Sequence, residues 1–368
     1  MKKVLFAINT LNNGGAEKGL LTLLRYLDPK KYEIHLLVVF GEGIYFEQIP
    51  QYVRVTHIFP CKSKEATKEI REHAAKLYEQ YVKESYDVMV AFLEGPSTKI
   101  LSYCNDPMCR KYAWMHTNLK KRHRTAVFYK SFEEEKYAYS QYDKIVFVSE
   151  EIRVAFGEMF GIELVQNAAV CYNPLEAKTI RRMAEGYEVA HDKFTICAVG
   201  RVIPEKGFLR LTSICEHMVE DGRDFTLNIV GDGKEYDRLK EMVESHHLEK
   251  WEHLIGFQEN PYPYIKNADL FVCSSLNEGY NLAISEAVIL GVPVISTDCS
   301  GIKENLGNGK WGYIVENRKE TLYHAISRCF DEPGFLEELK KKSEAGSIQD
   351  TYEGRLKKIE SIIEGVVN

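Results

Sequence analysis

Short apolar runs of β character alternate with amphipathic helical patterns along almost the whole chain, and that alternation admits few folds. Strand patterns at 4–8, 33–39, 53–58, 87–92, 111–116 and 145–149 are interleaved with helical ones at about 16–27, 65–84, 97–104, 130–141 and 150–160. The second half repeats the scheme, with strands at 194–199, 225–230, 253–256, 269–274, 293–297 and 313–315 and helices at 207–220 and 234–246. Such alternation predicts parallel sheets with helices on both faces, twice over. A length of 368 residues exceeds what one core usually supports and also favours two domains. The boundary is expected after Cys171-Tyr172-Asn173-Pro174, giving domains 1–173 and 174–347. A closing helix at about 348–366, within the last segment 348–368, carries Ile359, Ile362, Ile363 and Val366 at helical spacing.

Two segments carry chemistry. In Asn277-Glu278-Gly279-Tyr280-Asn281-Leu282-Ala283-Ile284-Ser285-Glu286, an apolar run leads in and a helix ending near Gly291 and Pro293 leads out. Glu278 then belongs on a loop at a strand's carboxyl end and Glu286 on the first turns of the next helix. Backbone N–H groups of residues 280 to 283 are expected to face outward, a setting that favours phosphate. The alternative is a solvated Glu278 and a Glu286 that balances the helix dipole. The second segment is Gly200-Arg201-Val202-Ile203-Pro204-Glu205-Lys206-Gly207, between a β run and an amphipathic helix. Arg201 and Lys206 fall on the same rim as Glu278 and suit a diphosphate. The competing reading pairs Arg201 with Glu205 and leaves Lys206 solvated.

Taken in order, Gly200-Arg201, Lys206-Gly207, Ile229-Val230-Gly231-Asp232-Gly233, Gly256-Phe257, Glu278, Glu286 and Gly291-Val292-Pro293 resemble glycosyltransferase family 4 of capsule and cell-wall polysaccharide type. Gly14-Gly15-Ala16-Glu17, Glu94-Gly95-Pro96 and Trp114-Met115-His116 extend the resemblance over nearly the whole chain. It implies an α/β fold of GT-B architecture, two Rossmann-like domains with parallel sheets facing across a cleft. The first domain would bind acceptor, joined by the closing helix, and the second the nucleotide-sugar donor. The resemblance also implies retention of configuration. Gly14 and Gly15 would close over the donor's phosphates, and His116 would lie near the transferred sugar. Gly200, Gly279, Tyr280, Asn281 and Leu282 would contribute to the donor site, Gly256-Phe257 would meet the base, Glu286 the ribose hydroxyls and Glu278 the sugar hydroxyls.

Gly14-Gly15 is not the G-x-G-x-x-G dinucleotide fingerprint, which argues against a dehydrogenase. No Asp-x-Asp occurs, so no carboxylate cluster is evident to hold a divalent metal on a diphosphate. The expectation is no cofactor and no metal, with Arg201, Lys206 and helix-terminal N–H groups neutralising the phosphates. The amino-terminal run Val4-Leu5-Phe6-Ala7-Ile8 is too short for a signal peptide core and is read as a strand. No stretch approaches the ~20 apolar residues of a membrane helix. Nine cysteines without a C-x-x-C pair read as reduced, cytoplasmic packing residues.

Charge is uneven. Residues 1–173 carry 24 basic and 21 acidic side chains, net +3, and the remainder 24 and 33, net −9, which together make the −6 of the chain. Lys120, Lys121, Arg122 and Arg124 stand in one run, read either as a solvated face or as a surface for an anionic membrane or a lipid-diphosphate acceptor. Nucleic acid is not expected, because no binding motif accompanies the run. The reading is a metal-independent transferase moving a sugar, from a UDP-sugar, to the hydroxyl of a lipid-linked saccharide. A GT-B epimerase or phosphorylase, or a silent partner subunit, are the alternatives.

Overall fold

The computed structural model describes residues 1–190, 192–347 and 351–366, with only the backbone of 351–353. They fall into two compact units, Met1–Leu175 with the segment from Glu353, and Glu176–Tyr352. The division lies slightly beyond the 173/174 boundary read from the sequence.

The first unit is built on β1 (Lys2–Ile8), β2 (Tyr32–Phe40), β3 (Arg54–Phe59), β4 (Val88–Ala91), β5 (Arg110–Met115), β6 (Lys144–Phe147) and β7 (Ala169–Val170). They form one seven-stranded sheet in the order β3-β2-β1-β4-β5-β6-β7, parallel throughout. The order reverses at β1, and in such sheets ligands bind beyond the carboxyl ends of the strands at the reversal. β1 is central, and Val4 to Ile8 are all buried, as a parallel strand covered on both faces demands. Helix Gly15–Tyr26 packs Leu20, Leu21, Leu23 and Leu24 inward. The helix predicted at 97–104 is confined to Pro96–Leu101. Asp106-Pro107 follows in a tight turn that helical backbone cannot enter.

Helix Thr351–Glu364 belongs to this unit from Glu353 on. Leu356, Ile359, Ile362 and Ile363 are buried. Lys2 Nζ meets Glu364 Oε2 at 2.7 Å, and Arg355 donates to the Asn173 carbonyl at 3.1 Å. Val366 is not on the helix: Gly365 turns left-handed (φ 73°), the helix stops, and Val366 is 77% exposed. Residues 348–350 and 367–368 of the expected closing segment lie outside the described residues.

The second unit repeats the plan with β8 (Phe194–Val199), β9 (Phe225–Val230), β10 (Glu252–Gly256), β11 (Leu270–Cys273), β12 (Val294–Thr297) and β13 (Tyr313–Val315). The six-stranded sheet runs β10-β9-β8-β11-β12-β13, again all parallel and reversing at β8. Ile196, Leu211, Ile214, Leu227, Ile229, Val272 and Ile295 form its core. Helices Lys319–Asp331 and Phe335–Ser347 escaped the sequence reading, because charged residues interrupt their apolar stripes. No described helix is long and apolar enough to cross a membrane.

Candidate active site

β8 and β11 are parallel neighbours, so the loops that follow them leave on one rim. One close approach presses those loops together, a second presses the β8 loop against the loop after β9, and each requires glycine. Gly207 has φ +67°, and a Cβ there would lie 2.2 Å from the Ser274 carbonyl oxygen. Gly231 has φ +146°, and its Cβ would lie 1.9 Å from the Gly200 carbonyl oxygen. The Ser274 hydroxyl donates to the Lys206 carbonyl at 3.0 Å, and the Leu276 N–H to the Glu205 carbonyl at 2.7 Å. Gly200 lies under the Lys206 stem, since a Cβ there would sit 3.2 Å from Cε.

The two loops bring Lys206 Nζ to 2.7 Å from Glu278 Oε1, with side chains only 18% and 10% exposed. The same oxygen accepts from Ser275 Oγ at 2.5 Å and Asn281 Nδ2 at 3.0 Å. Three donors converge on Oε1, while Oε2 has no hydrogen-bond partner among the described residues. Burial works against the Lys206 ammonium, but the Glu278 carboxylate overrides it and holds the ammonium above its ordinary range. Lys206 is therefore not solvated. Arg201 is exposed and forms no side-chain ion pair with a described residue, so it does not pair with Glu205.

Helix Leu282–Ile289 starts at Asn281, whose Oδ1 caps Ile284 N–H at 3.3 Å. The expectation that N–H groups 280 to 283 all face outward fails at Asn281. Its N–H donates to Asn305 Oδ1 at 3.0 Å, and Asn305 Nδ2 returns a bond to the Asn281 carbonyl at 3.0 Å. A buried Asn side chain can pair with a peptide unit in this way, as another backbone segment would. The N–H groups of Leu282 and Ala283 have no partner among the described residues. Gly279 is half-buried, and Gly301 packs against its carbonyl. Tyr280 is packed inward, receiving a bond from Ser285 Oγ at 3.4 Å, and Leu282 is buried. Glu286 is buried and accepts from the Tyr262 hydroxyl at 3.3 Å. Gly256 takes φ +76° at the end of β10, and Phe257 beyond it is 40% exposed.

Three supporting residues were missed by sequence reasoning: Arg210, Ser275 and Asn305. Arg210 donates to the carbonyls of Ser274 and of Ser275, the latter at 3.3 Å, and to Asn317 Oδ1 at 2.8 Å. It thereby anchors the strand end that carries Glu278. An arginine between Leu209 and Leu211 in an apolar helix was the available signal. Ser275 and Asn305 carried none.

In the first unit, Gly14 is buried and caps helix Gly15–Tyr26 just beyond β1, and Gly15 is exposed. A Cβ on Gly14 would meet the Glu17 carboxylate at 2.1 Å. His116 directly follows β5 and is 7% exposed. Its backbone N–H donates to Glu94 Oε2 at 2.8 Å, and the Thr117 hydroxyl donates to the other oxygen of that carboxylate. Burial raises the Glu94 carboxyl, against the hydrogen bonds it accepts. His116 Nε2 is buried with no partner, and burial pushes the imidazole down to about 3, so the ring is neutral near pH 7. Lys120 pairs with Glu158 at 2.7 Å and Lys121 with Glu151 at 3.3 Å; Arg122 and Arg124 also contact neighbours. The basic run is thus partly compensated on the surface.

Two parallel sheets, each reversing its strand order beside a glycine-lined loop, with a cation–carboxylate pair on the rim of the second, define the GT-B class of glycosyltransferase. Residues 13–178 match Glycosyltransferase Family 4 and residues 180–346 match Glycosyl transferases group 1, and the chain belongs to this family. A 4-alpha-N-acetylgalactosaminyltransferase of Campylobacter jejuni, named for an N-acetylgalactosamine-N,N'-diacetylbacillosaminyl-diphospho-undecaprenol, is 24% identical over 93% of this chain and 94% of its own length. An uncharacterized glycosyltransferase of Methanocaldococcus jannaschii is 36% identical, but over 29% of this chain and 27% of that protein. Among solved structures, sucrose-phosphate synthase of Thermosynechococcus elongatus superposes with a TM-score of 0.80 at 14% identity, covering 100% of this chain and 99% of that one. Anabaena HepE in complex with UDP and glucose superposes at 0.76 and 18%, covering 99% and 100%. The chain is a glycosyltransferase of glycan biosynthesis.

Proposed function

We infer that the protein transfers a sugar from a nucleotide-sugar donor, a UDP-sugar, to a saccharide hydroxyl with retention of configuration and without a divalent metal. The observation that carries this is the Lys206–Glu278 pair, in which three donors fix one carboxylate oxygen and leave the other open. The open Oε2 is suited to hydroxyls of the donor sugar. Lys206 keeps two further N–H donors, and with Arg201 and the N–H groups of Leu282 and Ala283 it would meet the diphosphate. These groups stabilise charge that grows on the leaving nucleotide, the kind of binding that accelerates reaction. The acceptor hydroxyl would give its proton to the departing phosphate oxygen, and no protein nucleophile is assigned. Glu286 is assigned to the ribose and Gly256 and Phe257 to the base; in the first unit, Gly14, Gly15 and the neutral His116 are assigned to substrate binding.

UDP is favoured because HepE was crystallised with UDP and glucose and a second similar structure, TarM, with UDP. The diphospho-undecaprenol in the name of the Campylobacter relative favours a lipid-linked acceptor and a peripheral contact with anionic membrane. Metal independence is proposed because Lys206, Arg201 and the N–H groups of Leu282 and Ala283 would supply the positive charge on the diphosphate themselves. UDP-, GDP- and dTDP-sugars compared by thermal shift, followed by turnover in EDTA, test the reading. UDP-sugars should raise the melting temperature most, and turnover should survive chelation. Loss of activity in EDTA with recovery in Mn²⁺ would overturn the metal-free account. Isomerisation of the donor without acceptor would favour an epimerase.

A further inference from the structure

Cys273 ends β11, the strand whose following loop carries Glu278, and it is buried between the neighbouring strands β8 and β12. Its thiol touches two of the three groups that bond Glu278 Oε1. It donates to Ser275 Oγ at 3.3 Å and accepts from Asn281 Nδ2 at 3.3 Å. The proton directions follow from counting hydrogens. Ser275 has one hydroxyl proton and gives it to Glu278 Oε1, so towards Cys273 it can only accept. Asn281 has two amide protons, one on Glu278 Oε1 at 3.0 Å and the other on Cys273 Sγ. The amide cannot be turned over, because its Oδ1 accepts from the Ile284 N–H at 3.3 Å. Cys273, Ser275, Glu278 and Asn281 thus close a ring of four hydrogen bonds, with the thiol opposite the carboxylate.

We propose that Cys273 is a positioning residue for sugar transfer: its thiol sets the Ser275 hydroxyl and the Asn281 amide so that both bond the same oxygen of Glu278, leaving Oε2 for a substrate hydroxyl. The proposal rests on the reading of Glu278 as the group that meets the donor sugar. A buried strand end favours an apolar side chain, yet Ser275 and Asn281 need a partner that both donates and accepts. A thiol does both while packing as a small hydrophobe. Without it the Ser275 oxygen and the second Asn281 proton lose their partner, and a buried donor left unpaired is costly enough to turn. The backbones on either side are held independently. Thr297 Oγ1 donates to the Ser275 carbonyl at 2.7 Å, and Asn305 pairs with the Asn281 peptide. Loss of the thiol therefore acts on the two side chains and, through them, on the carboxylate. Lys206 does not replace them, because an ammonium on a flexible stem meets either carboxylate oxygen and leaves the rotation of the group open.

Crystal structures of full-length Cys273→Ala and Cys273→Ser read the geometry without a donor. In Cys273→Ala the Glu278 carboxylate should rotate, with Oε1 no longer bonded by both Ser275 and Asn281. In Cys273→Ser, whose hydroxyl donates and accepts, the ring should survive. An unmoved carboxylate with both bonds kept in Cys273→Ala overturns the proposal. Kinetics use the UDP-sugar that raises the melting temperature most. Its kcat/KM should fall about tenfold in Cys273→Ala and by less than about threefold in Cys273→Ser, while competitive inhibition by UDP, which lacks the sugar, stays unchanged. Equal losses in the two variants, or UDP inhibition weakened in step with turnover, reduce Cys273 to a packing residue and overturn the proposal. If Cys273→Ala does not fold, Cys273→Thr against Cys273→Val, alike in shape and different in the hydroxyl, makes the same comparison. Glu278→Gln separates this proposal from the reading beneath it. Full turnover there removes Glu278 from the donor site, whereas lost turnover there with an unaffected Cys273→Ala overturns the role of Cys273 alone.

Discussion

At Glu278 one carboxylate oxygen is saturated before any ligand arrives: Lys206, Ser275 and Asn281 converge on it, and Asn305 holds the peptide at Asn281, although Asn277 Oδ1 and Arg210 Nε close by are buried without partners. The His116 ring has no such anchor, for it is buried with Nε2 unpartnered. An orphaned buried polar atom costs about 1–3 kcal/mol, a cost that a hydrogen-bonding ligand would remove. A satisfied network instead locks side chains into one geometry. The six-stranded unit thus carries a preset charge site and the seven-stranded unit an incomplete one, a difference that the following experiments can sharpen or break.

The largest effect is expected at Lys206. Lys206→Ala should lower kcat/KM on the order of a hundredfold or more, as loss of a preset charge does elsewhere. Turnover equal to wild type would remove Lys206 from the leaving-group role. Next is Glu252, whose Oε2 is also buried without a partner but which begins β10, away from the rim. Burial raises its carboxyl from 4.5 to about 7, against the hydrogen bond from Thr212. The folded state therefore holds the proton more tightly than the unfolded state. Its contribution to stability is complete below pH 4.5 and is lost as pH rises through about 7. Relative to Glu252→Gln, wild type should lose on the order of 3 kcal/mol between pH 4 and pH 8 in denaturant titrations. Parallel pH curves for the two proteins would refute this.

His116→Gln should cost about tenfold in kcat/KM, the loss of one neutral hydrogen bond to substrate. The wild-type contribution of His116 is present above pH 6.5 and lost as pH falls through about 3, so the variant should be less acid-sensitive in unfolding. A variant that keeps full activity would make the orphaned Nε2 a structural feature only. The smallest effect is expected from neutralising Lys120, Lys121, Arg122 and Arg124 together. Because Lys120 and Lys121 already pair with carboxylates, binding to anionic vesicles should weaken by only about tenfold, less than four free cations would give. A salt-independent result, or no change, returns the run to a solvated face.

The candidate site was legible in its charged parts because strand-end loops in parallel sheets share a rim, so Arg201, Lys206 and Glu278 could be grouped without coordinates. Asn305 and Arg210 were not, since each acts on backbone groups brought near only by folding. The inward turn of Asn281 N–H had the same cause: a local helix start offers its donors outward until a distant side chain claims one. The closing helix was readable up to its end, where a left-handed glycine exposed Val366 instead of burying it.

Hydrophobic period and glycine position, which are local properties, determined by themselves the two parallel sheets, the helices with unbroken apolar stripes and the rim that carries the charged loops. Only the tertiary structure decided which charges meet. Lys206 and Glu278 are 72 positions apart, and a sequence carries no distance between such residues. It also decided which polar atoms stay unmatched, His116 Nε2 and Glu252 Oε2 among them, because hydrogen-bond satisfaction depends on every neighbour in space.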